Sequence, residues 1–282
     1  MTHGVVLRVL GDRAQVRSGE EILSLRPKGV LRDGGLLAGD QVEISGEHIT
    51  KVTPRRNELG RPPVANVSLL LIVATLRDPA VLPSDVDRLL LQAAAIALPA
   101  VLVLNKSDLA TPAERAAFAA PYRAAGYEVM ETEAVRCEGV VALRAALPSG
   151  LSVLAGPSGV GKSSLLTALT DIAVEVGAIS ARLRRGRHTT RSATLYEIGG
   201  GRLLADTPGF SALELPNVAS GRLRELYPEF QERECRFSDC VHRAEPDCGV
   251  RAAVACGLID QGRYERYLRF LEEIEGRPPQ WH

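Results

Sequence analysis

Residues Gly156, Pro157, Ser158, Gly159, Val160, Gly161, Lys162, Ser163 and Ser164 stand between an apolar run (151–155, LSVLA) and a helix-forming run (165–170, LLTALT). Strand, glycine-rich turn and helix in that order make a phosphate cradle, or P-loop. Glycines let backbone N–H groups converge on phosphate oxygens, and the helix start presents its positive end to the same anion. In such a cradle Lys162 reaches the outer phosphates and the Ser163 hydroxyl holds a magnesium ion. The chemistry is that of nucleoside triphosphate binding.

A second group, Asn105, Lys106, Ser107 and Asp108, closes the apolar run 99–104. At the carboxyl end of a parallel strand, NKxD is the guanine-reading element of GTPases. The Asp108 carboxylate accepts from the ring N–H and the exocyclic amine of guanine, whereas adenine offers neither donor there. Sites built on such hydrogen bonds discriminate by roughly four orders of magnitude. Asn105 is expected to meet another edge of the base and tie this loop to the P-loop, and the Lys106 stem to cover the ring. A third contact, a backbone N–H to the base carbonyl, falls to Ala134, although Glu133 stands where a serine is usual. The ligand is then GTP rather than ATP.

The remaining phosphate machinery is read from DTPGF and RLRRGRHTTR. Asp206 suits a carboxylate that holds magnesium through water, and the Gly209 N–H suits a γ-phosphate sensor. Either Thr189 or Thr190 is the switch threonine closing over magnesium. Phe210 follows Gly209 and cannot orient an attacking water, so slow intrinsic turnover is expected. His188 is the candidate for that task, with a phosphate-contacting or merely exposed histidine as its alternative. The stretch 182–191 carries five arginines and no acid, a charge cluster suited to RNA phosphates.

Cys235, Cys240, His242 and Cys248 fall within fourteen residues. Three thiolates and an imidazole make a closed tetrahedral set for one structural zinc, with no position open for catalysis. Cys256 is expected in a helix core and Cys137 as an unpaired loop thiol. Tyr264, Tyr267, Leu268, Leu271 and Ile274 recur at helical spacing and form a packing stripe, which leaves Arg263, Arg266 and Arg269 able to face RNA.

These groups need elements to position them. The 282 residues include 34 Lys plus Arg and 34 Asp plus Glu, so total charge argues neither for nor against a nucleic-acid partner. No leader pattern opens the chain and no apolar stretch reaches about 18 residues, so a cytoplasmic protein without membrane contact is expected. Residues 4–53 alternate apolar and polar residues between close-set turns, as in a small oligonucleotide-binding type of β-barrel. No aromatic residue precedes Phe118, which argues against base stacking there; phosphate contact and protein docking both stay open. Arg55, Arg56 and Arg61 in the following linker suit either phosphate contact or a solvated hinge. From Val67 onward strands alternate with helices, the pattern of a parallel sheet covered on both faces. The expected division is 1–57 barrel, 58–214 α/β P-loop domain and 215–282 mainly helical zinc-binding domain, in a monomer.

The order of the motifs is unusual, because NKSD precedes the P-loop instead of following it. NKSD, GPSGVGKSS, GRHTT and DTPGF in this order, with a barrel before and a cysteine cluster after, resemble the RsgA family of circularly permuted GTPases; the cysteine spacing C-x4-C-x-H-x5-C also matches that family. The resemblance implies hydrolysis of GTP to GDP and phosphate, stimulated by the small (30S) ribosomal subunit late in its maturation, with rRNA as a partner. An rRNA-binding assembly factor that uses GTP mainly as a sensing or structural ligand is the alternative that Phe210 leaves open. In the permuted order Gly209 and Phe210 lead through 211–218 straight into the C-terminal domain.

Overall fold

The computed structural model describes residues 2–32, 35–60, 63–170, 193–206 and 214–277. Five short strands, β1 (Thr2–Leu10), β2 (Arg13–Ser18), β3 (Glu21–Pro27), β4 (Gln41–Ser45) and β5 (His48–Val52), close into a barrel in the order β1-β2-β3-β5-β4. All pairs are antiparallel except β3 with β5. The alternation puts Val6, Ala14, Val16, Val42, Ile44 and Ile49 inside, nearly or wholly inaccessible, since a one-residue slip would turn every one of them to solvent.

At Arg55 and Arg56 the linker is held by hydrogen bonds rather than left free. β6 (Glu58–Gly60) and β7 (Pro63–Ala65) form a small hairpin. Arg55 holds the buried carboxylate of Asp40 through Nε at 2.7 Å and Nη2 at 2.9 Å. Arg56 Nη2 donates to the carbonyls of Asn66 and Val67, both at 3.2 Å. Half-buried Arg55 and exposed Arg56 therefore fasten the linker to the barrel and to the start of the sheet; Arg61 lies outside the described residues.

The central sheet has the order β10-β9-β8-β11-β13-β12, built from β8 (Val67–Ala74), β9 (Ala100–Leu104), β10 (Glu128–Glu131), β11 (Gly150–Ala155), β12 (Leu195–Glu197) and β13 (Arg202–Asp206). Helices α1 (Pro83–Ala95), α2 (Pro112–Ala124), α3 (Val140–Ala146) and α4 (Lys162–Thr170) connect them. The inner strands are nearly continuous apolar runs because both faces are buried: Leu70, Leu71, Ile72, Val73, Val153 and Leu154 are inaccessible. One edge departs from the all-parallel expectation, since β12 runs antiparallel to β13.

The C-terminal region folds round a second core that includes Leu223, Tyr227, Phe230, Val250, Tyr267 and Leu271, with α5 (Gly249–Ala255) and α6 (Gln261–Glu275) packed over 3-10 turns at Ser220–Leu226 and Pro228–Phe230. The α6 stripe packs as expected, but Arg263 and Arg266 do not face outward. Arg263 is 2% exposed; it donates to Asp87 Oδ1 on α1 at 2.7 Å and to Glu229 at 2.5 Å, while Arg266 takes the other Asp87 oxygen. Tyr122, Tyr127 and Tyr227 rings surround the Arg263 guanidinium at 5.3–5.7 Å. Arg269 is exposed, and so is Cys256, which caps α5 on its outer side instead of joining the core.

Removing one partner of a buried charge network strands the others. Asp87→Ala is therefore expected to destabilise the chain by about 3–5 kcal/mol, read as a drop in the urea midpoint. A midpoint unchanged within error would show that this joint contributes nothing.

Candidate nucleotide site and metal centre

β11 and β8 are neighbours, and the connections from them run to opposite sides of the sheet. Ligands of such sheets bind outside the carboxyl ends of strands at this switch point, and there the P-loop and the 105–108 loop meet. β11 ends at Ala155, the loop 156–161 turns, and α4 begins at Lys162. Gly156 and Gly161 have φ of +137° and +92°. A Cβ on Gly156 would fall 2.3 Å from the Val73 carbonyl oxygen, and one on Gly161 would fall 2.3 Å from Asn105 Nδ2, so only glycine lets the loop lie this close to β8 and to Asn105. Lys162 Nζ donates to the carbonyls of Gly156 and Pro157, each at 2.8 Å, which places the ammonium over the cradle. Ser163 and Ser164 follow in the first turn of α4.

Asn105 is the knot of the site. It is 2% exposed, and its Nδ2 donates to the Val160 carbonyl of the P-loop at 2.8 Å. Its Oδ1 accepts from Thr132 Oγ1 at 3.1 Å and from the Ala134 N–H at 3.2 Å. One side chain thus joins the 105–108 loop, the P-loop and the 132–135 loop, as expected for the first two and further than expected for the third. Lys106 adopts φ +54° and its ammonium donates to the Asp78 carbonyl. Asp108 is exposed and lines a cavity of about 320 Å³ with Asn105, Lys106, Leu109, Glu133, Ala134, Val135, Arg136, Gly161 and Ser164. Ser107 is fixed from behind, its N–H donating to the Thr132 carbonyl at 3.1 Å.

Arg115 was not singled out by motif reasoning. From α2 its Nη1 donates to the carbonyls of Ser107 and Ala110 at 2.9 and 2.6 Å, and its Nε pairs with Glu131 at 2.7 Å. It braces the NKSD loop. The readable signal was its neighbour: Thr111 and Glu114 form a capping box that starts α2 just behind the loop.

β13 pairs in parallel with β11, and Asp206 lies opposite Leu154. The backbone therefore brings position 206 to the foot of the P-loop. The Asp206 side chain lies outside the described residues, as do His188, Thr189, Thr190, Gly209 and Phe210.

The second cluster is at the other end of the chain. Cys235, Cys240, His242 and Cys248 bring one donor atom each within 4.8 Å of one another. His242 Nδ1 lies 3.5, 3.4 and 3.3 Å from the three sulfurs in sequence order, and the Cys235 and Cys248 sulfurs are 3.8 Å apart. With metal–sulfur and metal–nitrogen bonds of ~2.3 and ~2.0–2.1 Å, tetrahedral zinc requires edges of roughly 3.8 and 3.5 Å, so the donors fit. Burial holds His242 below its ordinary value, which keeps the imidazole neutral as a ligand must be. Burial pushes the Cys240 thiol up to about 12. Burial opposes the Cys235 thiolate most, but hydrogen bonds from the N–H groups of Val250 and Gly249 together with the Cys248 and Cys240 thiols hold that thiol low. Tyr264 and Tyr267 hydroxyls donate to the carbonyls of His242 at 2.6 Å and Val241 at 2.7 Å, tying the cluster to α6.

A P-loop joined through Asn105 to a base loop that precedes it in the chain, on a sheet flanked by a barrel and a Cys3His cluster, defines a circularly permuted GTPase. The family model for the RsgA GTPase matches residues 52–216, and the chain belongs to that family. It is 41% identical to the small ribosomal subunit biogenesis GTPase RsgA of Geobacillus sp. (strain WCH70), covering 100% of both chains. With the protein of the same name from Moorella thermoacetica it shares 42% identity over 97% of this chain and 98% of that one. The crystal structure of YjeQ from Thermotoga maritima superimposes with a TM-score of 0.86 at 32% identity, over 98% of this chain and 99% of that one. YloQ, described as a circularly permuted GTPase, gives 0.81 at 29% identity over 100% of this chain and 97% of that one. No described helix is long and apolar enough to cross a membrane.

Proposed function

We propose that this GTPase hydrolyses GTP to GDP and phosphate under the control of the small ribosomal subunit, acting in the cytoplasm as a monomer late in maturation of that subunit, with rRNA as its contact. The observation that carries the guanine assignment is the threefold bonding of Asn105 to Val160, Thr132 and Ala134. It fixes base-reading and phosphate-binding loops in one frame. Asp108 accepts from the guanine N–H groups, the Lys106 stem covers the ring, and the Ala134 N–H, which donates to Asn105 Oδ1 in the structure, is shared with the base carbonyl when guanine binds. The loop 156–164 and Lys162 hold the phosphates. Ser163, Asp206 and one of Thr189 and Thr190 would hold magnesium, which supplies charge neutralisation between the β- and γ-phosphates. Gly209 would sense the γ-phosphate and His188 would position water. Cys235, Cys240, His242 and Cys248 would hold one structural zinc, which supplies cross-linking of the C-terminal core. The division at 57/58 and 214/215 follows the barrel, the sheet and this core.

Phe210 after Gly209 supports one other reading, an rRNA-binding assembly factor in which GTP is sensed more than consumed. Phosphate release from GTP and from ATP, each with and without purified small subunits, separates the two. GTP turnover is expected to rise at least about tenfold with subunits, a barrier drop of roughly 1.4 kcal/mol, while ATP stays idle. Subunit binding with flat GTP turnover overturns the hydrolase in favour of the sensing factor.

A further inference from the structure

Glu133 sits beside a base site that has another carboxylate already. Its side chain is 8% exposed, and the next residue, Ala134, turns its N–H onto Asn105 Oδ1. Glu133 and Glu138 exchange backbone hydrogen bonds of 2.9 and 3.1 Å, which pins the loop between them. Arg136, 70% exposed in its side chain, brings Nε to 3.1 Å from Glu133 Oε1. Glu133, Arg136 and Asp108 line the same cavity. An unpaired carboxylate at 133 is wrong for guanine, whose 6-carbonyl carries partial negative charge. It is right for adenine, whose 6-amino group donates. A guanidinium 3.1 Å from one oxygen of that carboxylate offsets its charge. Exposed ion pairs usually matter little, but the Glu133 end of this pair is largely buried, and stripping its partner leaves a poorly solvated charge facing the cavity.

We propose that Arg136 is a specificity-positioning residue: by pairing with Glu133 it silences a carboxylate that would otherwise favour a 6-amino purine, leaving Asp108 to select a 6-oxo purine through its ring N–H. This rests on the guanine reading of the 105–108 loop. Arg136 itself need not touch the nucleotide. Its effect is on the charge seen at the edge of the base that Ala134 faces.

The test is a set of affinities for GDP, IDP and ADP, measured by calorimetry on the full chain. IDP keeps the 6-carbonyl and lacks the 2-amino group, so it isolates the edge at issue. Arg136→Gln is expected to weaken GDP and IDP together by at least about tenfold while ADP holds or tightens, because the freed carboxylate repels one edge and accepts from the other. Adding Glu133→Gln to Arg136→Gln should bring GDP back to within about threefold of the starting protein, since no charge remains to silence. A merely structural role for Arg136 would weaken all three nucleotides alike, and that pattern, absence of rescue, or a GDP change under about twofold, overturns the proposal. Arg136→Met gives the same comparison should Arg136→Gln not fold. Asp108→Asn separates the two failures. If the unaltered protein does not prefer GDP to ADP, the guanine reading itself falls; if it does, and Asp108→Asn abolishes the preference while Arg136→Gln is inert, only the role of Arg136 falls.

Discussion

Cys248→Ser is expected to strip the protein of bound zinc and unfold its C-terminal region while the central sheet stays folded. Cys248 is buried and its sulfur lies 3.3 Å from His242 Nδ1 and 3.8 Å from Cys235 Sγ, so the change removes one of four donors from a closed set. Structural zinc sites contribute apparent free energies of ~10–16 kcal/mol at neutral pH, as much as the whole stability of an ordinary domain at about 5–15 kcal/mol. The core that depends on it is small, and the cluster reaches that core through Tyr264 and Tyr267. Metal analysis should give one zinc per chain before the change and less than about a tenth after it. Near-ultraviolet circular dichroism should lose the signal of Tyr227, Tyr264 and Tyr267, all buried there. Cys256→Ser, at an exposed thiol, is the matched control and should leave zinc content and spectrum unchanged. Zinc displaces protons from the thiols, so chelators should remove it faster at pH 6 than at pH 8. Unaltered protein purified without zinc, or a Cys248→Ser protein with an unchanged spectrum, would remove the metal from the account.

What the sequence made legible follows from how local each signal is. The barrel strands and the P-loop announce themselves within a few residues, through alternation and through glycines before Lys162 and Ser163. The four metal donors lie within fourteen residues, so proximity in the chain forces proximity in space. Charges whose partners are remote were not legible. Arg263 finds Asp87 across 176 positions and Arg266 finds it across 179; without that partner each reads as an exposed arginine on a helix face. Arg55 misled for the same reason, since Asp40 looks like a turn residue until barrel closure buries it. Arg115 was invisible because it touches the nucleotide loop only through backbone carbonyls, which carry no residue type. Cys256 failed differently: helical spacing placed it inward, but α5 ends one residue earlier and the cap faces out.

Asp108→Asn should change which nucleotide the protein takes without changing its fold. The side chain is exposed, and the loop that carries it is held by other groups: Arg115 on the Ser107 and Ala110 carbonyls, Thr132 on the Ser107 N–H, and Asn105 on the P-loop. Melting temperature should therefore stay within about two degrees, since substitutions at exposed positions are usually worth less than 0.5 kcal/mol. Binding should not be spared. The carboxylate accepts from both the ring N–H and the 2-amino group of guanine, whereas an amide turns one acceptor into a donor that opposes the amine. Affinity for GTP is expected to fall by ~10⁴, the order at which a site rejects a ligand that mismatches its hydrogen bonds. Xanthine has a 2-carbonyl in place of the 2-amino group, and the same amide donates to it while still accepting from the ring N–H. XTP should then bind the variant more tightly than GTP does, and phosphate release in the presence of small subunits should follow the same exchange. Equal loss of GTP and XTP would mean that Asp108 orders the loop instead of reading the base, and an unchanged GTP affinity would place the base elsewhere than the cavity between Asp108 and Ala134.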